Sequence, residues 1–216
     1  MKKRINKNKK IIIGTICLLV FLLIVRDIYK YEITAYDNFA YKTIVENTRS
    51  ESMTIIMKII TTLGSGVVLI MLSLLSFFMF KDKKNIIYIC TNLYFIYFLN
   101  NLIKLIVQRP RPSGYNIIEE NSYSFPSGHS MISTAFYGLI IYLIYKNVKD
   151  TKKKYILISL LFLLIILIGI SRIYLGVHYL SDVAGGFFIA IAYLMVYIST
   201  IQIINEYLER EIKWKD

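Results

Sequence analysis

Proline and histidine are nearly absent from this chain of 216 residues, which holds three prolines and two histidines. So few prolines leave long stretches without a helix breaker, and all three fall close together, at Pro110, Pro112 and Pro126. Cysteine is equally scarce: Cys17 and Cys90 both sit inside apolar runs, which excludes a disulfide framework and marks them as packing residues. Acidic residues are few, 14 against 26 Lys and Arg, giving a formal net charge of +12. An excess of that size resembles a nucleic-acid footprint, but such a footprint gathers on one soluble face, and here the basic residues are distributed loop by loop. No nucleic-acid partner is indicated. No internal repeat, low-complexity tract or linker divides the chain, so residues 1–216 are expected to form a single domain.

What the chain has in abundance is apolar sequence, 56% hydrophobic and 14% aromatic, in runs too long for a soluble domain of this size. Ile59–Phe80, Asn85–Ile103 and Val183–Asn205 carry no charge. Each exceeds the roughly 19 residues that, at about 1.5 Å per residue, cross about 30 Å of hydrocarbon. Ile11–Val25, Ser130–Tyr145 and Tyr155–Ser171 are shorter and need flanking uncharged residues to complete a crossing. The expected fold is therefore all-α: a polytopic six-transmembrane-helix bundle with spans over roughly 11–25, 56–80, 85–107, 129–145, 155–171 and 183–205. The first span follows a basic arm, as a signal peptide would. No small-x-small cleavage site follows it, and VRDIYKYEI suits a retained helix entering the headgroups.

Charge placement orients the bundle. Of the 26 basic residues, 17 lie in the N-terminal arm, in KDKK (81–84), in KNVKDTKKK (146–154) and after Glu209, all on one side if six spans alternate. The positive-inside rule makes that side, with both termini, cytoplasmic. The connections at roughly 26–53, 108–128 and 172–182 then share the outer face. The first of these, with Tyr36, Phe39, Tyr41, Ile44 and Val45 at roughly helical spacing, reads equally well as an interfacial amphipathic helix or a solvated loop.

Three pieces meet at that face. In NNLIKLIVQRPRPSG, Lys104 ends a span and Arg111 lies seven residues on, past the helix stop at Pro110. Alone, this is no more than snorkelling cations at an interface. In FPSGHS, Ser127 is a good N-cap and Gly128 permits close backbone approach, so the next span opens with unpaired N–H groups that attract phosphate. His129 in that first turn could donate a proton to a leaving oxygen. Surrounding cations disfavour its charged form, and a bound phosphate dianion restores it. In SRIYLGVHYLSD, Arg172 follows the fifth span at the rim. If the stretch is helical, His178 and Asp182 share one face, and the carboxylate fixes the ring tautomer. Each piece has an ordinary structural explanation. That both histidines and their neighbouring cations fall on one face makes three coincidences hard to sustain.

Lys104-x6-Arg111-Pro112, Pro126-Ser127-Gly128-His129 and Ser171-Arg172-x5-His178-x3-Asp182, in that order, resemble the complete three-part signature of the type 2 phosphatidic acid phosphatase family, the membrane lipid phosphate phosphatases. The motifs cover residues 104–182, and LGSG at 63–66 is similar to the family's second span. The resemblance implies metal-independent removal of phosphate from a membrane lipid phosphate or pyrophosphate, without a cofactor. In it His178 attacks phosphorus to give a phosphohistidine, Asp182 orients it, and His129 protonates the leaving oxygen. Lys104, Arg111 and Arg172 would clamp the nonbridging oxygens, with Ser127 and Gly128 completing the cradle. Bacterial members suggest undecaprenyl pyrophosphate, phosphatidylglycerophosphate or phosphatidic acid as substrate, acted on at the outer face of the plasma membrane. Two imidazoles and one carboxylate among cations are also a poor site for Mg²⁺. Arg109 lies outside the motif and is expected to face headgroups. Glu119 and Glu120 would oppose phosphate binding unless they point away.

The residues scarcely separate this reading from a lipid-to-lipid phosphotransferase on the same scaffold, and they leave oligomeric state open. A non-enzymatic transporter fits less well, because transport pathways place ionisable groups near the midplane, whereas Lys58 lies near the end of its apolar run.

Overall fold

The structure, a computed structural model, describes residues 2–79 and 83–215. Phe80, Lys81 and Asp82, at the end of the second expected span and in its basic loop, lie outside the described residues. Among the described residues the fold is all-α. The helices are α1 (Lys2–Tyr31), α2 (Ala35–Ala40), a π-helical stretch (Tyr41–Glu46), α3 (Glu51–Thr62), α4 (Gly66–Met79), α5 (Lys83–Val107), α6 (Gly128–Asn147), α7 (Thr151–Tyr174) and α8 (Leu180–Lys215). Five of them, α1, α5, α6, α7 and α8, are long and apolar enough to cross a membrane, and α3 with α4 makes a sixth, bent crossing. The chain is a multi-pass membrane protein.

α6 is the axis of the bundle, packed against α5, α7 and α8, while α1 lies along the outside of α8. Its position follows from composition: Met131, Ala135, Phe136 and Leu139 are buried among Ile96, Ile168 and Ala190. The outward residues of the peripheral helices, such as Leu74, Phe78, Phe98, Ile106 and Phe162, are exposed and face the lipid. Hydrocarbon gives helices no hydrophobic reason to associate, so close packing and polar contacts must hold them. Small residues provide the first: a Cβ on Gly169 would lie 2.4 Å from the Phe187 ring, and one on Gly138 2.5 Å from Leu194. Cross-helix hydrogen bonds provide the second. Asn92 donates to the Ala135 carbonyl at 3.0 Å, and Tyr137 to the Leu63 carbonyl at 2.7 Å.

Two expectations change here. The span at 56–80 is not one straight helix: α3 ends at Thr62 and the axis turns by 49° before α4 continues. Leu63-Gly64-Ser65 forms the break, where the Leu63 carbonyl bonds Tyr137 instead of a helical amide and a Cβ on Gly64 would collide with Ile168 at 2.5 Å. LGSG therefore marks a bend that brings α3 against α7. The last helix also runs well past the 183–205 expected, beginning at Leu180.

Candidate active site

The ends of α1, α5 and α7 and the starts of α6 and α8 meet at one pole of the bundle, where residues 108–127 fold over them. α5 closes with Gln108 in a left-handed conformation (φ 50°), and the prolines at 110 and 112 prevent its continuation. The segment then doubles back: the Ser124 amide bonds the Arg109 carbonyl at 2.9 Å and the Ile117 amide bonds the Leu175 carbonyl at 2.9 Å. Arg49 fastens the same loop to the end of α7, donating to the carbonyls of Tyr115 (2.6 Å) and Tyr174 (3.0 Å). Gly176, with φ 75° and the Tyr115 carbonyl 2.4 Å from where a Cβ would stand, makes this approach possible.

Ser127 caps α6 as its sequence position suggests, its hydroxyl accepting from the Ser130 amide at 3.4 Å. Gly128 opens the helix with Asn100 packed 3.2 Å from its would-be Cβ, and Asn100 also donates to the Pro126 carbonyl at 3.3 Å. His129 follows, half-buried, within electrostatic reach of Arg172, His178, Lys104 and Arg111. On the opposite side, a Cβ on Gly186 would lie 3.1 Å from the Ser127 carbonyl, so α8 presses its first turns against the α6 entrance.

Asp182 is the node that joins the second and third motifs and ties Arg109 to them. It is fully buried, and its backbone carbonyl accepts the Ser127 amide at 3.0 Å. Its Oδ2 accepts from the Tyr179 amide (2.8 Å) and the Ser124 hydroxyl (2.5 Å), and faces His178 Nδ1 at 3.4 Å. Its Oδ1 accepts from Arg109 at 2.6 Å. The His178–Asp182 pair does not sit on a helix face, because α8 starts only at Leu180. Asp182 instead caps the helix entrance through the Tyr179 amide, and His178 hangs from the turn before it. The other ring nitrogen, Nε2, lies 3.2 Å from an Arg111 N–H. A guanidinium can only donate, so Nε2 carries the lone pair and Nδ1 the proton that points to Asp182. Burial lowers the pKa of His178 to about 4 against the opposing hydrogen bond and charge of Asp182, so the ring is neutral at neutral pH.

Three cations surround this ring's side of the pole. Lys104 is buried and donates to Ser122 Oγ at 2.9 Å. Arg111 is held by the carbonyls of Ser122 (2.6 Å) and Val177 (2.9 Å). Arg172, expected at the rim, is instead 1% exposed in the last turn of α7; it donates to Thr61 Oγ1 at 2.9 Å, and its Nε has no hydrogen-bond partner. Glu120 points into this group, 2.5 Å from Arg172 and 3.8 Å from Arg111. Burial raises the Glu120 pKa, but Arg172, Arg111 and His178 outweigh it and hold the carboxyl below its usual range. Glu119 is exposed. Beside Lys104, Arg111 and Glu120 opens a cavity of about 680 Å³ that reaches Leu105 on the lipid-facing side of α5.

Arg109 does not face headgroups. It is 3% exposed, bound to Asp182, to Asp37 at 3.0 Å, to Ser181 Oγ at 2.6 Å and to the Glu32 carbonyl at 2.6 Å. The connection carrying Asp37 is helical, with Phe39 exposed and Asp37, Ala40 and Val45 turned inward against α7 and α8. Sequence reasoning missed Ser122, Ser124, Asp37, Ser181 and Thr61. A hydroxyl-rich NSYS before FPSGH was the only signal available for the first two.

The PAP2 superfamily model matches residues 85–206, more than half of the chain and all three motifs. Phosphatidylglycerophosphatase B of Bacillus subtilis is 42% identical over 93 residues, 41% of this chain and 44% of that protein. The chain thus matches under half the length of the curated relatives, which include rat sphingosine-1-phosphate phosphatase 1 at 31% identity over 52% of this chain and 27% of that protein. In three dimensions it is similar to the crystal structure of a transmembrane PAP2-type phosphatidylglycerolphosphate phosphatase from Bacillus subtilis. That match has TM-score 0.81 and 28% identity, over 88% of this chain and 96% of that one. The crystal structure of Aquifex aeolicus LpxE matches with TM-score 0.65 and 25% identity, over 78% of this chain and 98% of that one. By its motifs, its fold and the extent of these matches, the chain belongs to the PAP2 superfamily.

Proposed function

We propose that this protein hydrolyses a membrane lipid phosphate or pyrophosphate through a phosphohistidine formed on His178. The observation that carries the reading is the placement of that ring, with Nδ1 3.4 Å from Asp182 and Nε2 3.2 Å from an Arg111 N–H, which selects the neutral tautomer whose lone pair is on Nε2. Names of the similar proteins support the substrate class, since each of the two curated relatives above is a phosphatase named for a phosphorylated lipid.

Lys104, Arg111 and Arg172 bind the nonbridging oxygens, with the free Nε of Arg172, the Ser127 side and the Gly128 amide at the opening of α6 completing the cradle. Nε2 of His178 attacks phosphorus as the bond to the lipid oxygen breaks. His129, in its protonated form, gives its proton to that oxygen, which leaves as the lipid alcohol or, from a pyrophosphate, as the lipid monophosphate. Asp182 offsets the positive charge that the phosphorylated ring acquires. Neutral His129 then takes a proton from water, whose oxygen attacks phosphorus and releases inorganic phosphate, returning both histidines to their starting states. Positioning and charge compensation suffice for phosphoryl transfer.

The six spans work as one unit around this site. By the positive-inside rule both termini are cytoplasmic and the site opens on the extracytoplasmic face of the cell membrane. Undecaprenyl pyrophosphate, phosphatidylglycerophosphate and phosphatidic acid are the candidate substrates. Each presents its phosphate at the pole while its chains stay in the leaflet beside Leu105. The test is a phosphate-release panel of these lipids with purified protein in EDTA and no added acceptor. Release from at least one lipid, its loss in His178→Ala and its persistence in Lys58→Ala are expected. Full activity in His178→Ala, or a requirement for divalent metal, would overturn the reading.

A further inference from the structure

We propose that Asp37 and Arg109 form a positioning pair behind the His178–Asp182 dyad, in which Arg109 fixes the Asp182 carboxylate and Asp37 cancels the charge that Arg109 brings. This rests on His178 being the nucleophile. Neither residue belongs to the three motifs, and Asp37 lies outside the matched residues 85–206.

The geometry is that of a buried cluster. The Arg109 guanidinium bridges Asp182 Oδ1 at 2.6 Å and Asp37 Oδ2 at 3.0 Å, and it stacks over the Tyr179 ring with 4.2 Å to the ring centroid. Asp37 in turn accepts from the Ser181 amide and hydroxyl, each at 2.8 Å, and from the Thr34 amide at 3.2 Å. Asp37 and Arg109 are each 3% exposed, and Asp182 and Ser181 are fully buried. Arg109 occupies Oδ1 of Asp182, while Oδ2 accepts from the Tyr179 amide and the Ser124 hydroxyl and faces His178, so that Arg109 helps these donors to fix the plane of the carboxylate against the ring.

The electrostatic consequence follows from counting charges. Asp182 paired with Arg109 alone would present His178 with no net charge, and the imidazolium formed on phosphorylation would lose its counter-ion. The second carboxylate returns the cluster to a single negative charge. The other groups facing His178 do not supply it. Arg111 from the 108–127 segment, Arg172 from α7, Lys104 from α5 and His129 from α6 are cationic or neutral, and Tyr179 is neutral. Glu120 is anionic, but it bonds Arg172 and Arg111 and must give way to phosphate. The first outer connection thereby acts on the chemistry without touching substrate: Asp37 is third in α2, locked by a capping box with Thr34.

The experiment compares pH profiles of phosphate release from dioctanoyl phosphatidic acid, or from whichever lipid of the panel the wild type hydrolyses, across full-length variants. Every variant meets the same substrate, so differences between profiles belong to the protein. Asp37→Asn is expected to lower kcat about tenfold with KM nearly unchanged. It should also move the acid limb of kcat/KM to lower pH, because an uncompensated Arg109 disfavours the His178 cation. Removing both charges, in Asp37→Asn with Arg109→Gln, should return the limb toward its wild-type position and recover part of kcat. Asp37→Glu should retain the wild-type limb, and so should Ser181→Ala, which alters no charge. An unmoved limb in Asp37→Asn, or a double variant no better than the single, means a merely structural role and overturns the proposal. Where Asp37→Asn does not fold, the double variant decides. Folded with a wild-type limb, it supports the pair; unfolded, or folded with a displaced limb, it overturns it. Activity surviving in His178→Ala would instead strike the nucleophile assignment, independently of these profiles.

Discussion

Glu120 sits among the cations proposed to bind the substrate's phosphate, and replacing it with glutamine should tighten phosphate binding. Its carboxylate is 2.5 Å from Arg172 and 3.8 Å from Arg111, with 29% of the side chain exposed. At an effective dielectric of about 20, unit charges about 4 Å apart attract by roughly 4 kcal/mol before desolvation is counted. The net contribution of such a charge-assisted hydrogen bond is smaller, about 1.5–3 kcal/mol, and partial exposure reduces it further. Glutamine keeps an oxygen that Arg172 can donate to, so only part of that is removed. A gain of about 1.4 kcal/mol, or about tenfold in the inhibition constant of inorganic phosphate, is expected. The assay is competitive inhibition of lipid-phosphate hydrolysis by phosphate and by orthovanadate in both proteins. The folded carboxyl titrates below its ordinary range, so the competition is present above the usual glutamate pKa and fades as pH falls through the lowered value. The gap between the two proteins should therefore persist through neutral and mildly acidic pH. An inhibition constant in Glu120→Gln equal to or weaker than the wild type would refute the idea that the carboxylate and phosphate share one seat.

The neutral state of His178 can be observed directly. With its pKa near 4, the ring's carbon-bound protons should not titrate by NMR between about pH 5.5 and 8 in the substrate-free protein, whereas an exposed histidine would. The sign for stability follows: a depressed histidine pKa contributes stability above the ordinary histidine range that is lost as pH falls toward the folded value. Gly64→Ala places a methyl 2.5 Å from Ile168 Cγ2, and overpacking of that kind costs about 1–3 kcal/mol, read as a lower thermal unfolding midpoint. Single cysteines at Asn116 and Lys149, in a background with Cys17 and Cys90 replaced by serine, should react with a membrane-impermeant maleimide from opposite sides. Labelling of both from one side would contradict the proposed topology.

The difference between what the sequence disclosed and what it concealed has a physical basis. Two histidines, an RPRP turn and an FPSGH helix start were legible because each carries its own local reason: a scarce side chain, a helix stop, a cap. The crossings were legible because hydropathy needs no tertiary partner, although the bend at Leu63-Gly64-Ser65 was not, being set by Tyr137 and Ile168 from two other helices. Arg109, Asp37 and Glu120 were misread or left without a role for one reason. A charge in a connecting loop looks solvated unless its partner is known, and here Glu120 meets Arg172 across 52 residues of sequence, while Arg109 meets Asp37 and Asp182 across 72 and 73. Burying an isolated ion is prohibitive, so these three could enter the pole only as a matched set with Asp182, Arg111 and Arg172. That condition also explains why the connection carrying Asp37 is a helical segment with its carboxylate turned inward and not a solvated loop. Its carboxylate is needed inside, and the α2 turn with its Thr34 cap is what holds it there.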